Sequence, residues 1–150
     1  MTRVLVVDDH ALFRRGIVAV LRERQDFTVV GEASDGREAI AQAKTLVPQV
    51  ILLDLMMPGM GGLEALSRLK NELLQTGILI VTISEKESDL FTALKFGARG
   101  YILKDIAPEA LVDAVACVAR GEVVISPSMA AKLLGEFREE AAKGEGLTPR

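Results

Sequence analysis

Short apolar runs alternate along the chain with longer amphipathic stretches. Residues 4–7, 28–31, 50–53, 78–83 and 101–103 are rich in Val, Ile and Leu with little polar interruption, the pattern of strands buried on both faces. Between them apolar residues recur every three or four positions: Phe13, Ile17, Val20 and Leu21; Ile40, Ala43 and Val47; Leu63, Leu66 and Leu69; Leu90 and Leu94; Leu111, Val115 and Val118. Each stripe gives a helix one apolar face to lay on a sheet. The helix ends are marked too. Asp35 with Glu38 makes a capping-box pattern, Pro108 suits a first helical position, and Gly97 and Gly121 follow apolar stripes as stops.

Strand and helix alternating with connections this short predict a parallel sheet covered by helices on both faces, because right-handed crossovers must pack back onto the sheet. The first strand is not followed by a dinucleotide fingerprint. The expected fold is therefore α/β: a flavodoxin-like, doubly wound sheet of five parallel strands in the order 2-1-3-4-5, with five helices. The pattern changes after Gly121. Ser126-Pro127 opens a further helix in which Met129, Leu133 and Phe137 repeat every four residues, and 136–146 is rich in Ala, Glu, Lys and Gly, the composition of a solvated helix end and linker. The expected division is a unit over 1–121, a linker with an amphipathic C-terminal helix over 122–146, and a new beginning at 147–150.

Composition narrows the chemistry. The 150 residues are 49% hydrophobic, enough to support a core and to exclude wholesale disorder. With 18 basic and 21 acidic residues the net charge is −3, so there is no basic field to displace counterions from nucleic-acid phosphates. One cysteine, Cys117, and one histidine, His10, exclude an intrachain disulfide framework and the usual zinc clusters. No apolar run approaches the roughly 18 residues of a membrane span, and Met1-Thr2-Arg3 leads directly into a strand, so a cytoplasmic protein is expected.

Carboxylates remain. The first strand ends in Asp8-Asp9 and the third in Asp54, and ligands of open α/β sheets bind beyond the carboxyl ends of strands at the switch point. A single Asp leaving a strand often does no more than cap the next helix. Three converging there repel one another unless a cation is present, and hard oxygen ligands favour Mg²⁺. Thr82, near the end of the fourth strand, and Lys104, just past the fifth, bring a hydroxyl and an ammonium to the same rim, where both can address a phosphoryl group. Taken alone, each has a plainer reading as strand packing or a solvated surface charge.

From about Met1 to Gly121 these residues resemble a bacterial response-regulator receiver domain. The resemblance is carried by Val6-Val7-Asp8-Asp9-His10, Asp54-Leu55-Met56-Met57-Pro58-Gly59-Met60-Gly61-Gly62, Thr82 and Gly100-Tyr101-Ile102-Leu103-Lys104. Within that family the chain is most similar to the NarL/FixJ (LuxR-type) transcriptional regulators, and Leu147-Thr148-Pro149-Arg150 resembles the opening of their helix-turn-helix DNA-binding domain. The resemblance implies that Asp54 is the phosphoacceptor, taking the phosphoryl group from a sensor histidine kinase. Mg²⁺ would be bound by Asp9 and Asp54 directly, by Asp8 through water and by the Met56 backbone carbonyl. Lys104 and Thr82 would contact the phosphoryl oxygens, and Thr82 with Tyr101 would form the switch. The resemblance implies further that such a chain would catalyse only its own phosphorylation and dephosphorylation, that phosphorylation would act by homodimerising it or by releasing the C-terminal domain, and that it would reach DNA only through that domain, with no membrane partner.

Departures and alternatives complete the expectations. The family often has a proline, frequently cis, after the lysine; here Asp105 is expected to be trans, since a non-proline cis bond costs about 3 kcal/mol. His10 is expected partly exposed near the first helix start, Cys117 in the core, and Met56, Met57 and Met60 as loop packing. A stand-alone receiver that relays phosphate or docks to a protein is the second reading. A phosphatase or nucleotide-binding enzyme is third, opposed by the lack of a P-loop and of a second Asp two residues after Asp54.

Overall fold

The computed structural model describes residues 1–147, with side chains through residue 136 and at 138. The chain runs β1 (Thr2–Val7), α1 (Ala11–Arg22), β2 (Phe27–Ala33), α2 (Gly36–Leu46), β3 (Val50–Leu53), α3 (Gly62–Glu72), β4 (Gly77–Thr82), α4 (Glu87–Lys95), β5 (Gly100–Leu103), α5 (Pro108–Ala119), β6 (Val124–Ile125) and α6 (Pro127–Leu147). The strands form one sheet of order β2-β1-β3-β4-β5-β6, parallel throughout.

The expected doubly wound topology is present, with one strand more than the five expected. Val124 and Ile125 pair with Gly100 and Tyr101. Two residues are too few to show a period, and their pairing comes from tertiary hydrogen bonds: Val124 N–H donates to the Arg99 carbonyl and Ser126 N–H to the Tyr101 carbonyl, both at 3.0 Å.

Alternation along the buried strands divides the core into two layers. Leu5, Val7, Ile51, Leu53, Ile78, Ile80, Tyr101 and Leu103 face α2, α3, α4 and the start of α6. Val4, Val6, Val50, Leu52, Leu79, Val81 and Ile102 face α1 and α5. The helix boundaries follow the local chemistry: the Asp35 carboxylate accepts from the Glu38 amide at 2.9 Å, Pro108 opens α5, and Gly97 and Gly121 have φ of 103° and 86°, a region costly for any side chain. Glu38 reaches back to Ser34 rather than to the Asp35 amide, which displaces the second half of the capping box by one residue.

Beyond Gly121 the chain stays attached to this body. Met129 is fully buried in the layer under α4, with Leu133 packed against it, and α6 continues to Leu147. The Phe137 side chain, third in that stripe, lies outside the described residues, as do 148–150 of the proposed domain opening. Cys117 departs from expectation. It is half-buried on α5, because it falls beside Asp113 and Arg120 at the edge of the apolar stripe, and its sulfur accepts from Arg120 Nη2 at 3.2 Å. The peptide bond before Asp105 is trans. Among the described residues no helix is long and apolar enough to cross a membrane.

Candidate functional site

Parallel registry builds the site. Val7 pairs with Leu53 across β1 and β3, so the next residue of each strand, Asp8 and Asp54, emerges at the same height. The backbone holds both: Asp8 N–H donates to the Ala33 carbonyl at 3.0 Å, and Asp54 N–H to the Val7 carbonyl at 3.1 Å. On the other side Thr82 pairs with Leu103, and Lys104 N–H donates to the Thr82 carbonyl at 2.9 Å. Carboxylate oxygens of Asp8, Asp9 and Asp54 come within 4.8 Å of one another.

None of these acids caps the following helix. His10 occupies the α1 N-cap without a side-chain bond, and Gly61 occupies that of α3. Instead one Asp8 oxygen accepts from the His10 amide at 2.8 Å, and one Asp54 oxygen accepts from the Met56 amide at 3.2 Å. The other oxygens turn to Lys104, whose ammonium lies 2.9 Å from Asp8 Oδ2 and 3.1 Å from Asp54 Oδ2. Asp8 and Asp54 are buried while Asp9 is exposed, so the cluster is closed from beneath and open to solvent at Asp9.

Burial raises the Asp8 carboxyl above its ordinary value, the bonds from Lys104 and His10 oppose that rise, and the charge of Asp54 adds to it. For Lys104 burial disfavours the ammonium, but bonding to Asp8 and the charges of both acids outweigh it and hold its pKa above the usual lysine range. The same ammonium sits 4.6 Å from the centroid of the Phe13 ring, a cation–π contact that further fixes it. One ammonium faces three carboxylates, so the set remains anionic. A hard divalent ion such as Mg²⁺ fits that excess charge and all-oxygen donor set.

The two expected switch residues lie beneath this rim. Thr82 is buried, and its hydroxyl accepts from the Ser84 amide at 3.4 Å. Tyr101 is fully buried, its hydroxyl donating to the Ser84 carbonyl at 2.9 Å. Ser84 therefore joins them. Met56 turns its side chain outward, 53% exposed, and Met57 turns inward. Met60 packs against the core, and His10 is exposed at the helix start. Asp8, Asp9, Asp54 and Lys104 are thus in one group, with Thr82 and Tyr101 connected to its floor.

Sequence reasoning missed four participants. Phe13 reads as core stripe until Lys104 is seen over it. Ser84 and Arg14 carry no periodic signal; Arg14 reaches the Asp8 carbonyl at 2.6 Å and Glu32 at 3.0 Å. Gly62 had one: the Gly61-Gly62 doublet. A Cβ at Gly62 would lie 2.4 Å from the Asp54 carbonyl oxygen and from Leu55 Cα, so only glycine lets α3 begin this close to the acid-bearing loop.

Residues 4–116 match the family model described as a response regulator receiver domain. The nitrate/nitrite response regulator protein NarL of Escherichia coli is 44% identical over 151 residues, covering 98% of this chain and 70% of that protein. The crystal structure of a LuxR-family two-component response regulator from an Aurantimonas species superposes with a TM-score of 0.87 at 31% identity, covering 91% of this chain and 98% of that one. The signal receiver domain of the putative response regulator NarL from Mycobacterium tuberculosis gives a TM-score of 0.78 at 39% identity, covering 81% and 98%.

Proposed function

The chain belongs to the response regulator receiver family, of the NarL/LuxR type that regulates transcription in two-component signalling, and from that premise we propose that Asp54 is its phosphoacceptor. A carboxylate oxygen of Asp54 attacks phosphorus in a phosphohistidine of a sensor kinase; the O–P bond forms as the P–N bond breaks, leaving an acyl phosphate on Asp54. Lys104, already bonded to Asp54, pairs with one phosphoryl oxygen, and the Thr82 hydroxyl donates to another. Asp9 and Asp54 would hold Mg²⁺ directly, Asp8 through water, and the Met56 carbonyl would complete the protein ligands. Bound there, the ion offsets the negative charge of the entering phosphoryl oxygens.

The observation that carries this reading is the convergence of Asp8, Asp9 and Asp54 within 4.8 Å, two of them sharing one lysine. The output runs through Ser84: drawing Thr82 toward a phosphoryl group displaces the backbone that accepts the Tyr101 hydroxyl, and so repacks α4 and β5. That surface would then support homodimerisation. Residues 1–121 form the phosphoaccepting unit in this reading, and 122–146 connect it to a DNA-binding region opening at 147–150. The net charge of −3 gives the chain itself no field for nucleic acid.

Mass spectrometry after incubation with a small phosphodonor and Mg²⁺ tests the assignment. We expect one phosphoryl adduct on the wild-type protein, lost with EDTA and absent in Asp54→Asn; undiminished labelling of that variant would refute it.

A further inference from the structure

We propose that Arg14 is a positioning residue for the divalent-cation site, acting through the Asp8–Asp9 peptide. The inference rests on reading the acidic cluster as a Mg²⁺ site. Arg14 lies in the first turn and a half of α1, and its side chain folds back over the end of β1, only 15% exposed. Nη1 donates to the Asp8 carbonyl at 2.6 Å, and Nε donates to Glu32 Oε1 on β2 at 3.0 Å. The guanidinium thus ties the helix start, the strand end and the neighbouring strand together.

The consequence falls on Asp9. Asp8 is held at its amide by the Ala33 carbonyl and at its carboxylate by His10 and Lys104. The Asp9 carboxylate is exposed and, among the described residues, accepts no hydrogen bond. Its direction is therefore set by the backbone that precedes it. The peptide joining Asp8 to Asp9 is planar, and the atom that fixes its plane is the Asp8 carbonyl oxygen gripped by Arg14. Mg²⁺ requires near-ideal octahedral ligands and tolerates misdirection poorly, so loosening this peptide weakens the site although Arg14 touches neither ion nor phosphoryl group.

Charge and positioning predict opposite signs, which makes the inference testable. Removing a cation near an acidic site should tighten Mg²⁺ binding if charge dominates, and weaken it if the guanidinium positions Asp9. Mg²⁺ is titrated into the unphosphorylated full chain, followed by backbone amide NMR shifts around Asp9 and Asp54 and by calorimetry. Arg14→Met should weaken binding about tenfold, the usual loss when a group orienting a metal ligand is removed. Glu32→Gln keeps an acceptor for Nε and should stay within about twofold of wild type, whereas a charge effect would weaken it. Arg14→Lys keeps the charge but is a point donor that cannot grip both partners, and should weaken binding about threefold. Unchanged or tighter binding in Arg14→Met overturns the proposal; if that variant does not fold, wild-type affinity in Arg14→Lys does the same. A wild-type chain that binds no Mg²⁺ instead removes the reading of the acidic cluster.

Discussion

Asp8 gives up its proton less readily in the folded chain than in the unfolded one, because burial outweighs the hydrogen bonds from Lys104 and His10. The unfolded chain therefore ionises first as pH rises above 3.8, and the contribution of Asp8 to stability falls through that window and stays unfavourable at neutral pH. Asp8→Asn keeps the shape and an acceptor while removing one of three clustered charges. We expect it to stabilise the metal-free protein by about 1 kcal/mol at pH 7, read as a higher melting temperature, with Mg²⁺ binding weakened. An unchanged or lower melting temperature would show that the charge is already compensated. Asp8, Asp9, Asp54 and Lys104 were legible only as a set, because acids and a lysine at the ends of neighbouring Val-, Ile- and Leu-rich runs share one rim, whereas singly each reads as a helix cap or a surface charge. Arg14 was not, since an arginine in an amphipathic helix looks the same whether it faces water or folds back onto a carbonyl.

Elements show where local pattern ends. The five long strands and their helices carry their periods openly. β6 does not, and neither does the role of the first turns of α6. Ser126 Oγ accepts from the Leu103 amide at 3.1 Å, Lys132 Nζ donates to the Glu85 carbonyl at 2.5 Å, and Met129 fills the layer under α4. This helix start is bound to β5 and to the loop that holds Ser84, so it sits where any repacking around Tyr101 arrives. Met129→Ala should destabilise the receiver by about 2 to 5 kcal/mol, the range for truncating a buried side chain. Denaturant unfolding measures it; a change under about 0.5 kcal/mol, the level of surface substitutions, would mean that α6 is a free linker.

For the molecule as a whole, the buried Tyr101 phenol and the Lys104 ammonium set an alkaline limit. Tyr101 is the only tyrosine, and burial raises its pKa above 10.0. Lys104 is likewise held above 10.5 by its acids. In both cases the unfolded chain loses its proton first, so the contribution of these two groups to stability is intact below about pH 10 and declines as pH climbs through the folded values. Absorbance at the phenolate band should stay silent until the far-ultraviolet signal of folded structure is lost, the two transitions coinciding. Phenolate appearing earlier, with secondary structure intact, would mean that Tyr101 leaves its pocket without global unfolding.

Alternation and spacing were enough to determine the succession of five strands and their helices and the helix stops at Gly97 and Gly121, and to put the acids and the lysine at strand ends, because each depends on residues a few positions apart. The three-dimensional structure alone decided what depends on distant backbones meeting. It added β6 at the sheet edge, closed Lys104 onto Asp8 and Asp54, linked Thr82 to Tyr101 through Ser84, buried Met129 and brought the Arg14 guanidinium onto the Asp8 carbonyl. Hydrogen bonds to main-chain atoms account for much of this second set, and main-chain atoms are the same in every sequence.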